Sequence, residues 1–403
     1  MIFTIALGIR FKTVIIYECV GVWITASPTI FSANSAYFNK TPLFNGAKMQ
    51  AIIDEIEKQK PIYPPHMLSK QEKDRLIQRG FLGLYRWYLD RSQTKRNWNP
   101  DRSFDWRNMS KTHSPEMMNV LDGYYAVEQF APDYTSEVVK LTRESYGRSQ
   151  FHLRWGSEEE KHSDSWRNSL LFSGLRSVEW IEEYTSVLRE KAWTLPFDDL
   201  KETILYTVLQ ERATQLNYMG LLKIARGESE KPQFAGDTDP VLAEVAQTIA
   251  VDEAAHYNFF LEGSRLFLYY YPEETLTALG NVLKNFMMPA HDLLPEYDKF
   301  VKAVYDAGIF DFRTYSRDVV QSALKNMGVN SLKGMHEGIA RLRQVPAMNG
   351  EMRETTLMNL MDFSVIEGFV ESLFARIGQY ESEIGFTEIA PTNFAKHSWA
   401  IPS

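Results

Sequence analysis

Two segments of this chain repeat one pattern: an acid, then Glu, then His three residues on. They are Glu158-Glu159-Glu160-Lys161-His162 and Asp252-Glu253-Ala254-Ala255-His256. In an α-helix, residues three apart share a face. Glu159 can therefore meet one ion together with His162, and Glu253 with His256. A lone Glu-x-x-His is ordinary on a solvated helix. Here the flanks are apolar: Ile249 and Val251 precede Glu253, and Phe259 and Phe260 follow His256. Acids in such surroundings are costly to bury as bare charges, and bound cations compensate.

Two further carboxylates sit at the right places in the chain. Glu211, preceded by Leu205, Val208 and Leu209, lies between the two motifs, and Glu128 lies before the first. The order Glu, Glu-x-x-His, Glu, Glu-x-x-His resembles the inward-facing ligand set of ferritin-like di-iron bundles, one set per helix. Glu137 and Glu144 share the predicted helix of Glu128 and stay open as alternatives to it. Carboxylates with two imidazoles suit iron or manganese better than zinc or calcium. A single cysteine, Cys19, excludes a disulfide framework, thiolate-bound zinc and iron–sulfur clusters. A net charge of −8 argues against a nucleic-acid partner.

Apolar residues recur at three- and four-residue steps from about Met49 onward. The spacing predicts helices over 68–91, 115–145, 147–173, 177–191, 198–227, 238–270, 273–287, 311–327 and 355–379. The expected fold is all-α: a ferritin-like four-helix bundle carrying a di-iron site and extended by additional helices. One domain, 49–403, should hold a core at 115–292 and further helices to 380. Residues 1–48 read differently. Thr13–Phe31 is mostly apolar behind Arg10 and Lys12, but Glu18 and Pro28 interrupt it. A targeting segment and a functional start at Met49 both stay open. No other stretch is apolar for long enough to cross a bilayer, so a cytoplasmic chain is expected unless 1–48 direct it elsewhere.

The segment Tyr206-Thr-Val-Leu-Gln210-Glu211-Arg212-Ala213-Thr214 resembles a stretch of the soluble acyl-carrier-protein desaturases, the plastid and mycobacterial stearoyl-type enzymes. Both His motifs agree with that family. So do Val127-Glu128 with Pro132 and Tyr134, Met288-Pro289-Ala290-His291, and Trp98-Asn99-Pro100. The resemblance implies an oxygen-dependent desaturase that puts a cis double bond into an acyl chain carried on acyl carrier protein. It implies two Fe2+ per chain held by Glu128, Glu159, His162, Glu211, Glu253 and His256, with Glu159 and Glu253 bridging. Thr214 would lie beside the oxygen site. Asp252 would be the outer partner of His162, and Trp98 would continue that route to the surface for electrons.

No glycine-rich dinucleotide fingerprint is present, so an external donor is implied, and the family uses ferredoxin. A homodimer is expected on the same ground. The acidic carrier protein calls for a basic patch, and Lys70, Lys73, Arg75, Arg79, Arg86, Arg91, Lys95 and Arg96 offer one. The chain departs from the family at Ala254 and Ala255, where plant enzymes carry basic residues, and at Ser163, where the family has Gly. No tunnel residue is carried over, which leaves chain length and bond position open. The rival readings are another di-iron oxygenase, acting as an N-oxygenase or hydroxylase, and a ferroxidase or iron-binding protein.

Overall fold

The computed structural model describes Pro65, residues 68–329, 343–346, 352–355 and 363–385. The chain divides into two units, Met1–Gln59 and Lys60–Ser403, and every described residue lies in the second. The expected extension 1–48 falls outside the described residues.

Eleven helical elements are introduced here in chain order. They are α1 (Lys70–Lys95), α2 (Pro115–Glu128), α3 (Ala131–Thr142), α4 (Tyr146–Phe172), α5 (Val178–Leu188), α6 (Leu200–Ala225), α7 (Pro240–Tyr270), α8 (Pro272–Asn285), α9 (Tyr297–Asp306), α10 (the consecutive segments Phe312–Thr314, Tyr315–Gln321, which is π-helical, and Ser322–Met327) and α11 (Phe363–Glu383). The starts follow local chemistry. Ser69 and Glu72 form a reciprocal capping box on α1. Asp199 caps α6, and Asp239 followed by Pro240 opens α7. Ser114 with Pro115 opens α2. Gly174 and Gly227, at φ 75° and 76°, close the ends of α4 and α6, where the left-handed turn suits glycine.

Two expectations are corrected. The single helix expected over 115–145 is two. Pro132 has no N–H to give, and its ring would clash with the carbonyl of Glu128, so α2 stops there and α3 starts afresh. The Tyr134 hydroxyl donates to the Val127 carbonyl at 3.0 Å, satisfying one acceptor freed by the break. The helix expected over 355–379 begins only at Phe363. Ahead of it, Met352–Thr355 pairs antiparallel with Arg343–Pro346. The signal passed over was Asn349-Gly350, a hairpin-turn dipeptide.

Helices α2, α4, α6 and α7 form the bundle, and α6 packs along α7. Around them, α1 lies on α4 and α7, α11 covers α1 and α7, α9 lies on α2, and α8 packs on α6 and α7. Gly147 lets α4 approach α1 closely: a Cβ there would sit 2.5 Å from the Phe81 carbonyl carbon. The apolar interior falls into two bodies. One takes Phe151 from α4, Leu205 and Leu209 from α6, and Phe259, Phe260 and Leu266 from α7. The other takes Trp166 from α4, Tyr218 and Leu221 from α6, and Leu242 and Ile249 from α7. Along α4 and α7 the metal-ligand candidates fall at the seam between the two bodies, while Glu128 on α2 and Glu211 on α6 lie just inside the first, between Ala126 and Phe130 and between Leu209 and Ala213.

Candidate metal centre

Four helices bring six side chains together. They form two overlapping groups, Glu128–Glu159–His162–Glu253 and Glu159–Glu211–Glu253–His256, and within each group one ligand atom per residue lies within 4.8 Å of the others. Glu159 and Glu253 belong to both. Their oxygens divide between the two imidazoles. Glu159 turns Oε2 to His162 Nδ1 at 3.2 Å and Oε1 to His256 Nδ1 at 3.1 Å. Glu253 turns Oε1 to His162 Nδ1 at 3.3 Å and Oε2 to His256 Nδ1 at 3.5 Å. Glu211 Oε2 lies 3.4 Å from His256 Nδ1. Glu128 stands at the last position of α2, where the Pro132 break ends the helix. Glu137 and Glu144 are in neither group.

All six are buried, none more than 5% exposed. Glu159 Oε1, Glu211 Oε2, both Glu253 oxygens and His256 Nδ1 face inward with no hydrogen-bond partner. Such orphaned atoms are rare and costly in a folded interior. Carboxylate oxygens and imidazole nitrogens left bare around one spot are a donor set that fits iron.

Electrostatics point the same way. Burial pushes the Glu128 and Glu211 carboxyls well above the usual carboxylate range, and Glu159 and Glu253 respectively push them further. Burial works against the charged form of Glu253 as well, but His162 and His256 outweigh it and hold that group low. Burial disfavours both imidazolium ions; Glu159 and its neighbouring carboxylates override it and raise His162, and Tyr88 with Glu158, Glu159 and Glu211 override it and raise His256. Glu128 and Glu211, raised in this way, ionise readily only with cations beside them.

Each imidazole has an outer acid. His162 Nε2 faces Asp252 Oδ2 at 3.5 Å, and His256 Nε2 faces Glu158 Oε2 at 3.0 Å. The two acids are the residues that precede Glu253 and Glu159, so each motif supplies the outer partner for the other motif's histidine. Such partners orient metal-ligating rings; His256 Nε2 is hydrogen-bonded to Glu158, and His162 Nε2 faces Asp252 without a hydrogen bond. Arg96 ties the two together, at 2.7 Å from Asp252 and 3.6 Å from Glu158.

Trp98 and Asp252 lie together beside His162. Trp98 Nε1 donates to Asp252 Oδ2 at 2.8 Å, and its ring lies parallel to His162, 6.2 Å away and 8° from coplanar. Lys161 Nζ sits 4.4 Å over the same indole. Thr214 lies one turn beyond Glu211, and its hydroxyl donates to the Gln210 carbonyl at 3.1 Å.

The sequence reading missed several residues. Glu158 was visible as the acid before the first motif, in the position Asp252 holds in the second. Trp155, four residues before Glu159 on one face, donates to Glu211 at 3.1 Å. Tyr218, two turns after Glu211, donates to Glu128. Tyr88 and Ser92 both donate to Glu158 from α1.

The basic stretch 70–96 is corrected in part, because it does not form one face. Arg79 is buried in an ion pair with Glu381, its Nη2 donating to both carboxylate oxygens, and Arg96 points toward Asp252 at the centre. Lys70 is paired with Asp74 at 2.6 Å.

A family model described as fatty acid desaturase matches residues 88–358. The chain belongs to the fatty acid desaturase family. Among curated relatives of this family member, stearoyl-[acyl-carrier-protein] 9-desaturase 6 of Arabidopsis thaliana is 26% identical over 227 residues, 54% of this chain and 56% of that one. Acyl-[acyl-carrier-protein] 6-desaturase of Thunbergia alata is 28% identical over 188 residues, 45% of this chain and 46% of that one. The chain thus spans about half the length of these relatives. Among solved structures, a proposed acyl-ACP desaturase, DesA2 of Mycobacterium tuberculosis, aligns with a TM-score of 0.42 at 18% identity, over 62% of this chain and 94% of that one. Among the described residues, no helix of this desaturase-family chain is long and apolar enough to cross a membrane.

Proposed function

We propose that this chain is an oxygen-dependent acyl desaturase that places a cis double bond in a saturated chain presented on acyl carrier protein. One observation carries the reading. In a chain of the desaturase family, Glu159 and Glu253 each offer one oxygen to His162 and the other to His256. That is the disposition of two carboxylates serving two ions at once.

Glu128 and His162 would hold one iron and Glu211 and His256 the other, with Glu159 and Glu253 shared. The iron pair, when bound, supplies the oxygen chemistry that removes hydrogen from two adjacent methylenes. The chain's own residues do the rest. Asp252 and Glu158 hold the Nε2 side of each ring, so that Nδ1 faces inward. Trp155 and Tyr218 each give a hydrogen bond to a terminal carboxylate, Glu211 and Glu128. The two apolar bodies on either side of the seam keep water away. Thr214 lines the same small cavity as Glu128 and Glu159 and offers a hydroxyl there for handling a proton. Trp98, half-buried and stacked over His162, lies on the route inward for two electrons per turnover from ferredoxin. The assembly we expect is a homodimer with two irons per chain.

The test is aerobic turnover with iron-loaded protein, ferredoxin, its reductase and acyl carrier protein thioesters, with mass mapping of the alkene. An unsaturated acyl product supports the proposal. A hydroxylated or N-oxygenated product, or oxidation of iron alone, contradicts it.

A further inference from the structure

Tyr218, on α6, is buried, and its hydroxyl donates to Glu128 Oε1. Two other oxidisable rings flank it. Between centroids, Trp166 of α4 lies 5.2 Å away and Tyr124 of α2 lies 5.1 Å away, and those two are 5.4 Å apart. All three sit in the second apolar body. A ligand carboxylate needs only some donor to hold it. A phenol in that place adds a group that can give up an electron.

The rings differ in where their protons can go. A buried ring that lost an electron and kept its proton would be a bare cation in an apolar interior, which is costly. Oxidation is favourable only where a base takes the proton at the same time. Trp166 Nε1 is buried and has no hydrogen-bond partner. The Tyr124 hydroxyl donates to the Asn217 backbone carbonyl at 3.3 Å and faces that residue's Oδ1 at 3.5 Å, and neither is a base. Of the three, Tyr218 is the ring whose proton meets a carboxylate.

Two rings elsewhere in the centre also meet one. Tyr88 donates to Glu158, but Arg96 lies 4.8 Å over its ring, and a fixed cation there opposes the loss of an electron. Trp155 donates to Glu211. With a carboxylate to take the proton, a phenol gives up its electron more readily than an indole does.

We propose that Tyr218 is a one-electron site that drains the metal centre when oxygen reacts there and no acyl chain is present. The proposal rests on the desaturase reading above and adds to it how the site survives idle oxidation. Reduction of dioxygen to two waters takes four electrons and four protons. In desaturation the two ferrous ions give two electrons, two C–H bonds give two electrons and two protons, and solvent gives the remaining protons. With no acyl chain, Tyr218 gives the third electron, and its O–H bond breaks as the proton passes to Glu128. The external donor gives the fourth electron, and solvent gives the other three protons. A later electron from the donor, with the proton returned by Glu128, restores the phenol. The oxidising equivalent is thus spent on a ring that can be repaired and not on the metal's own ligands.

The test is electron paramagnetic resonance of the full chain, iron-loaded, reduced with a small chemical reductant, mixed with oxygen and frozen. A radical signal should form, and it should narrow when the chain is made with ring-deuterated tyrosine. Tyr218→Phe should abolish it and Tyr124→Phe should keep it. A ring-fluorinated tyrosine placed at position 218 keeps the hydroxyl, so it tests the assignment without removing a contact, and it should split the signal. A saturated acyl carrier protein thioester, bound before oxygen is added, should suppress the signal. Four results would each overturn the proposal: no radical in a chain that holds iron and consumes oxygen, a signal narrowed by deuterated tryptophan and not tyrosine, a signal that the fluorinated residue leaves unsplit, or equal signals with and without the thioester. A chain that takes up no iron would instead overturn the reading on which the proposal stands.

Discussion

Glu158 accepts a hydrogen bond from Nε2 of His256, on a different helix, at 3.0 Å. It is fully buried and also accepts from Tyr88 and Ser92. Arg96 and His256 outweigh the burial that would raise its pKa, and hold the carboxyl below its usual range. This pair repeats, across the seam, the pairing of Asp252 with His162. The candidate metal centre therefore has two outer acids, one per imidazole.

Removal of either outer acid should loosen the metal without removing a ligand. Glu158→Ala and Asp252→Ala are each expected to weaken iron binding roughly 10- to 100-fold. Anaerobic iron titration checks this. Wild-type affinity in Glu158→Ala would show that His256 is oriented by packing alone.

The electron route makes a separate claim on Trp98. Trp98→Phe keeps an aromatic ring over His162 but loses the hydrogen bond to Asp252. Turnover driven by ferredoxin should fall, while iron content and turnover with a small chemical reductant stay near wild type. Equal losses with both reductants would assign Trp98 to packing.

His113 gives a pH dependence away from the metal. Its imidazole lies 3.3 Å from Asp237 and 3.0 Å from Asp239, tying the start of α2 to the start of α7. Burial disfavours the imidazolium, but the two carboxylates override it and raise the group to about 9 from its ordinary 6.5. A raised folded value stabilises fully below the unfolded value. The contribution of His113 should thus be complete below about pH 6.5 and lost as pH rises through about 9. The same contacts lower Asp237 and Asp239, so their share is lost at the acid end. Thermal melts of wild type and His113→Asn should differ most just below pH 6.5 and converge above pH 9. A difference constant with pH would remove the charge from the explanation.

Arg79 and Glu381 join α1 to α11 through a buried ion pair in which Arg79 Nη2 donates to both carboxylate oxygens, at 2.6 and 2.7 Å. Removing one partner strands a buried charge. Arg79→Leu alone should cost roughly 3–5 kcal/mol, and Arg79→Leu with Glu381→Leu much less. Urea unfolding of the single and double variants measures this, and equal losses in both would contradict it.

Much of the site could be read from the sequence because helical spacing is itself geometry. Glu159 with His162 and Glu253 with His256 had to share faces, and the order of carboxylates placed Glu211 and Glu128 on the remaining bundle helices. The outer shell was less legible. Asp252 was found, but Glu158 was passed over although it holds the equivalent position. Tyr218 and Trp155 carried only the weak signal of lying on the same face as a ligand. In the fold, the long helices at 147–173, 198–227 and 238–270 came out within about three residues, since their apolar stripes run unbroken. The break at Gln129–Phe130 did not, because a periodic pattern crosses Pro132 without interruption. The hairpin at 343–355 did not either, since short strands have too few residues to establish a period. The basic stretch misled, because charge in a sequence does not say which side chains turn inward. Arg79 and Arg96 do.

The most direct measurement is the iron content of the purified, iron-loaded chain and its variants. Wild type should bind about two irons, and Glu128→Ala or Glu211→Ala should each retain one. Glu159→Ala and Glu253→Ala should each impair both sites together, because those carboxylates serve both imidazoles. A single iron in wild type, or loss of only one iron when Glu159 or Glu253 is removed, would contradict a shared pair.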